Sequence, residues 1–108
     1  MPFPATSPDT MLLKLIQVRS QDQDNLSVEE LASELATLQA KPDICVYETD
    51  GDPAALFQLM RRDLLYLEEM GFVQCDFSNP HVRITEWGRF FADRLELPAG
   101  FLNNEKVS

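Results

Sequence analysis

Few residues of this chain have the types and spacings that chemistry demands. The single histidine, His81, follows Pro80 at the end of Ser78-Asn79-Pro80, which is turn chemistry, so it reads as a loop residue and not as a general base. Cys45 and Cys75 stand thirty residues apart. A zinc site needs about four Cys, His or carboxylate ligands at short spacings. These are missing, so no metal or other cofactor is expected. Both thiols read as small buried hydrophobes, with a disulfide the minor reading in a reducing compartment. Gly-rich phosphate loops and nucleophile motifs are absent, and paired acids such as Glu68 and Glu69 are neighbours on a helix that point in different directions. The expectation is a protein that is not an enzyme. What remains is recognition chemistry: Gln58, Arg61 and Arg62 lie close together, and His81 and Arg83 follow further along. Arginine can pair bidentately with guanine and glutamine with adenine, so these side chains are capable of reading duplex DNA. The same arginines could instead serve local ion pairs with Asp63, Glu68 or Glu69, or solvate a helix face.

Charge pulls the other way. Eighteen acids against nine Lys plus Arg give a net charge of −9, whereas nucleic-acid affinity comes largely from phosphate neutralisation by basic groups. Screening over about 8–10 Å at physiological salt leaves room for a local basic face on an acidic protein. Glu29, Glu30 and Glu34 form an acid-only helix face, and Asp43, Glu48 and Asp50 crowd a following loop. Such a surface is either a solvated face or a dock for a basic protein partner.

The chain has a one-domain length of 108 residues, with 44% hydrophobic and 25% charged residues. Its N-terminus has no basic region before an apolar block, and its apolar runs are too short to span a bilayer. These features predict a cytoplasmic protein with no membrane contact.

Caps and periodicity predict the elements that must position these groups. Residues 1–7 are Pro-rich and read as a flexible N-terminus, after which Ser7-Pro8-Asp9 opens a helix with Leu12, Leu15, Ile16 and Val18 in register. Ser27 and Glu30 make a capping box for a second helix with Leu31, Leu35 and Leu38 on its apolar stripe. Pro42 stops it, and the β-branched and aromatic run 44–47 suits a short strand. Asp52 and Pro53 then start a third helix that Gly71 closes, with Leu56, Met60, Leu64 and Leu67 facing the core and Phe57, Leu59 and Met70 widening the stripe. Val73, Cys75 and Phe77 alternate with polar residues, and Val82 and Ile84 alternate on the return, which predicts a β-hairpin. Thr85 caps a last helix over 86–97 with Trp87, Phe90, Phe91 and Leu95 as apolar positions. Trp87 and Phe90 read as cover for the hairpin and first helix. Residues 98–108 read as a flexible tail.

This order, with the third helix running straight into the hairpin, resembles the winged helix-turn-helix domain, an α+β fold of three core helices, a hairpin wing and a C-terminal helix, here over 8–97. LEEMGFV at 67–73 is similar to the end of the recognition helix in bacterial regulators of the MarR and PadR kind. SVEELASEL at 27–35 is similar to their second helix, and ITEWGRFFADRL at 84–95 to the segment that ends the wing. The resemblance implies DNA binding, with the exposed side of helix 53–70 in the major groove and wing 73–84 on the backbone, hence Gln58, Arg61, Arg62, His81 and Arg83. It also implies transcription regulation. Surplus apolar residues in the terminal helices, Phe90, Phe91, Leu95 and Leu97, suggest a homodimer. Two features depart from the pattern: about fourteen residues separate the second and third helices, and they are acidic. That acidity favours the alternative, an interaction module that docks a basic partner without binding DNA.

Overall fold

The computed structural model describes residues 3–4, 7–39, 46–49 and 52–97. It is an α+β arrangement of four helices around a three-stranded antiparallel sheet, with a second, two-stranded pairing near the ends of the described chain.

Helix α1, Pro8–Arg19, is the most enclosed element: Leu12, Leu13, Leu15 and Ile16 are fully buried, and Met11 and Gln17 nearly so. It packs on the third and fourth helices. Its start combines a proline in the first turn with a Thr10 hydroxyl that accepts from the Ser7 backbone N–H at 3.2 Å. Asp9 in the first turn and Arg19 in the last oppose the helix dipole. After α1 the chain forms a short strand, β2 (Leu26–Ser27), with a first strand β1 (Phe3–Pro4) already laid down upstream. Helix α2, Val28–Gln39, begins with the Ser27 hydroxyl accepting from the Glu30 N–H and buries Val28, Leu31, Leu35 and Leu38.

Helix α3, Pro53–Glu69, has the expected ends. The Asp52 carboxylate accepts from the Ala54 N–H at 3.0 Å. At the other end Gly71 takes a φ of 84°, its N–H bonds the Glu68 carbonyl and the Phe72 N–H bonds the Leu67 carbonyl. Only glycine enters that left-handed conformation without a steric cost, and the paired bonds satisfy carbonyls the helix would leave open. Leu56, Met60, Leu64 and Leu67 are buried as the stripe predicts, with Phe57 and Leu59 partly buried beside them.

The hairpin pairs β3 (Val73–Asp76) with β4 (His81–Ile84), Val73 opposite Ile84 and Cys75 opposite Val82. Helix α4 is Glu86–Ala92, capped by the Thr85 hydroxyl accepting from the Gly88 N–H, and it is followed by β5 (Leu95–Glu96).

Several expectations need correction. The third strand of the sheet is β2, which pairs antiparallel with β4, and not residues 44–47. Val46 and Tyr47 form a bend whose backbone N–H groups both donate to the Gln39 side chain, while Ile44 lies outside the described residues. Within the stretch 1–7 only Phe3, Pro4 and Ser7 are among the described residues: Phe3–Pro4 pairs in parallel with Leu95–Glu96, and Ser7 is the N-cap residue of α1. That pairing also explains why the last helix stops at Ala92 and does not reach 97, because Leu95 is taken into a strand. Met70, Trp87 and Phe90 are exposed, at 48%, 55% and 51%, and do not cover the core. The expected tail 98–108 lies outside the described residues.

Candidate nucleic-acid interface

The polar side of α3 follows from the buried one. With Leu56, Met60, Leu64 and Leu67 turned inward, Gln58, Arg61, Arg62 and Leu65 fall at spacings of three and four on the opposite side, and all are exposed. From Pro53 to Arg62 the helix carries no acid. The Asp52 carboxylate caps the positive end of the helix dipole, so the positive charge of this side comes from the two arginines in the middle of the helix. Arg61 is braced by the hairpin turn, its guanidinium carbon 4.8 Å from the centre of the Phe77 ring. Arg62 lies 3.5 Å from Asp63, at the edge of an ion pair and largely exposed. Of the local partners considered for the arginines, Asp63 is engaged, whereas Glu68 accepts the Cys75 backbone N–H at 3.0 Å.

His81 and Arg83 sit elsewhere. Alternation along β4 turns Val82 and Ile84 to the core and places His81 and Arg83 on the outer face of the sheet. They lie opposite Asp76 and Gln74, in a shallow groove that Asn25 and Asn79 also line. Asp76 holds the turn: its carboxylate accepts from the Ser78 hydroxyl, the Ser78 N–H and the Asn79 N–H. The Ser78 hydroxyl and these backbone groups keep the Asp76 carboxyl below the ordinary carboxylate range. The His81 ring nitrogen Nδ1 is 3.0 Å from the Asn79 carbonyl oxygen. The five candidates thus form two clusters, Gln58, Arg61 and Arg62 on the helix and His81 with Arg83 on the sheet, and no hydrogen bond or ion pair among the described residues joins them.

The acidic candidates are also divided. Glu29 and Glu30 are exposed on α2. Glu34 is engaged by Arg19, whose Nε lies 2.9 and 2.8 Å from its two oxygens, so this acid is partly neutralised. Glu48 is exposed, and Asp43 and Asp50 lie outside the described residues.

Two features escape a reading by residue type. Asp63 is buried, 8% exposed, and accepts the Tyr47 hydroxyl at 2.6 Å. Burial first, then the hydrogen bond and charge of Asp63, push the Tyr47 phenol well above its ordinary value, so it stays a donor. The contact ties 46–49 to the middle of α3. The second feature is aromatic. Phe91, which the sequence leaves open between core and dimer surface, is partly buried and stacks on Phe72 at 4.9 Å, and Leu95 is buried in β5, whereas Trp87 and Phe90 stack on each other at 5.7 Å in the open. Exposed Trp, Phe, Tyr66 and Met70 could have been suspected from their surplus over what a small core needs.

No helix of the described residues is long and apolar enough to cross a membrane. Comparison of the chain with protein-family models, with curated proteins and with solved structures finds no match.

Proposed function

We propose that this chain is a non-enzymatic regulatory protein of winged-helix type that binds duplex DNA through the exposed side of α3, in the manner of a transcriptional regulator. The fold part of the reading is supported by the order of elements: three helices packed together, a hairpin entered directly from the third, and a short strand between the first two helices that joins the hairpin as the sheet order β2-β4-β3. The single observation that carries the binding part is the acid-free N-terminal half of α3, which presents Gln58, Arg61 and Arg62 to solvent with Arg61 held against Phe77.

The scale is modest. Two or three arginines per copy neutralise about two or three phosphates, so log K should fall with log salt at a slope of about −2 to −3. Raising salt from about 50 to about 200 mM should then weaken binding roughly 10- to 40-fold. Fluorescence anisotropy with labelled random-sequence duplex, comparing the parent with Arg61→Ala/Arg62→Ala, tests this. Binding that falls with salt and is lost in the double variant is the expected result.

A second reading is favoured by the net charge of −9 together with exposed Glu29, Glu30 and Glu48: docking of a basic protein partner. No association with DNA even at about 50 mM salt would remove the first reading and leave this one.

A further inference from the structure

The two arginines of α3 are placed by different parts of the chain. Arg61 rests on Phe77 of the hairpin turn, whereas Arg62 stands at the end of a hydrogen-bonded path that begins at the last residue of α2. There the Gln39 side-chain oxygen accepts both the Val46 and the Tyr47 backbone N–H, and both of those residues are buried. The Tyr47 hydroxyl in turn donates to Oδ2 of Asp63 at 2.6 Å, while Oδ1 of the same carboxylate lies 3.5 Å from Nε of Arg62. The path runs through the long connection between α2 and α3, the feature that departs from the winged-helix pattern.

Asp63 is what gives the path a consequence. Its side chain is 12% exposed, and a carboxylate so enclosed must have its lone pairs met by donors. Two side-chain donors approach it, the Tyr47 phenol from the interior and the Arg62 guanidinium from the solvent side. The phenol holds the stronger position, since a hydroxyl 2.6 Å from a carboxylate lies in the charge-assisted range of about 2.5–2.7 Å. Arg62 reaches only the edge of an ion pair, with 66% of its side chain exposed, because adjacent positions on a helix do not face each other. We infer that Tyr47 is a positioning residue for DNA contact, a role that rests on the reading of α3 as the helix that meets the duplex. By supplying the donor that Asp63 needs, Tyr47 leaves the Arg62 guanidinium free to reach a phosphate. Without the phenol, the carboxylate takes the other donor at hand, and Arg62 folds back onto it.

Tyr47→Phe removes the hydroxyl and keeps the buried ring. Fluorescence anisotropy with labelled random-sequence duplex over about 50–200 mM salt compares the parent with Tyr47→Phe, Arg62→Ala and Tyr47→Phe/Asp63→Asn, each checked for native far-UV circular dichroism. Tyr47→Phe should bind as weakly as Arg62→Ala, with a salt slope shallower than the parent's by about 1, the loss of one phosphate contact. Asp63→Asn in the same chain removes the charge that captures Arg62, so the double variant should regain the parent's affinity and slope. A second arm needs no DNA. The nitrogen–proton NMR signal of Arg62 Nε, followed in the full chain, should show slower exchange with water in Tyr47→Phe than in the parent, and the parent's rate again in the double variant. A tyrosine that only holds the fold together would lower Tm yet leave the salt slope and the Arg62 exchange rate unchanged, and that result overturns the inference. So does a loss of binding in Tyr47→Phe that Asp63→Asn fails to recover. No binding by the parent overturns the reading of α3 instead, and the Arg62 exchange rate then decides by itself whether Tyr47 holds that guanidinium free.

Discussion

Substitution of Gly88 by alanine separates two accounts of α4 by the sign of its effect. In a helix interior, alanine is favoured over glycine by about 0.8–1.0 kcal/mol, so a glycine with free space around it should be improved by the change. Gly88 has no such space. A β-carbon at position 88 would lie 2.1 Å from the Phe72 carbonyl oxygen and 2.9 Å from both the Phe72 carbonyl carbon and Ile84 Cγ1. The carbonyl cannot easily withdraw, because it accepts the Thr85 N–H at 3.0 Å and lies 3.0 Å from the Thr85 hydroxyl. Ile84 is itself buried. Overpacking costs about 1–3 kcal/mol and a disrupted hydrogen bond about 1 more, against which the propensity gain is set. The net loss should be about 1–3 kcal/mol, which for a domain of this size lowers Tm by about 4–8 °C per kcal/mol. Urea and thermal unfolding followed by far-UV circular dichroism measure it, with an unchanged urea m-value expected. Gly71→Ala serves as a contrast, since the nearest atom there is 3.8 Å away and the strain is only in the backbone at a φ of 84°. Asparagine should recover part of the loss at 71, where it tolerates the left-handed region, and none at 88. Equal or greater stability in Gly88→Ala would refute the close approach of α4 to Phe72.

Leu64 is fully buried on the inward stripe of α3, so Leu64→Ala should cost about 2–5 kcal/mol through lost transfer energy and the cavity left behind; unchanged stability in urea would mean the stripe faces elsewhere. Burial, with the nearby Glu68 charge adding to it, pushes the Cys75 thiol up to about 12. In a Cys45→Ser background at pH 8, Cys75 should therefore react with a thiol reagent roughly a thousandfold more slowly than a free cysteine, and become fast in urea.

The parts readable from residue order are those enforced locally. Asp52, Pro53 and Gly71 each satisfy or release particular backbone groups within a few residues, so the limits of α3 follow from their types. The alternation in 73–84 needs only the two-residue period of a strand with one buried side. Thr85 and Gly88 are the informative pair of the last helix, the hydroxyl capping the helix and the glycine clearing the Phe72 carbonyl. What escaped was set by distant partners. Strand β2 has two residues, too short for any period, and exists because β4 offers it an edge. The pairing of Phe3–Pro4 with Leu95–Glu96 joins opposite ends of the described chain and shortens α4. Asp63 reads as a surface charge until Tyr47 is placed beside it. Apolar spacing in α4 reveals a stripe without saying whether anything covers it, and Trp87 and Phe90 prove to be the uncovered half. For the candidate site the types were readable, but not that the sheet would carry His81 and Arg83 away from the arginines of α3.

One helix carries both the arginine turn and an exposed apolar end, and its length is what keeps them apart. The seventeen residues of α3 span about 25 Å at 1.5 Å per residue, with the arginine turn near the middle and Tyr66 and Met70 at the far end, about 8–13 Å further along. That separation is about one Debye length at physiological salt, so the charge of Glu69 is attenuated at the arginines without being removed. Both faces are anchored by the same packing. Phe77 of the hairpin turn braces Arg61, while Phe72 at the other end of β3 stacks on Phe91 and lies 6.2 Å from Trp87. The acidic balance of the chain opposes DNA binding most at low salt, where its repulsion of phosphate is least screened, so the arginine contacts of α3 must outweigh it there.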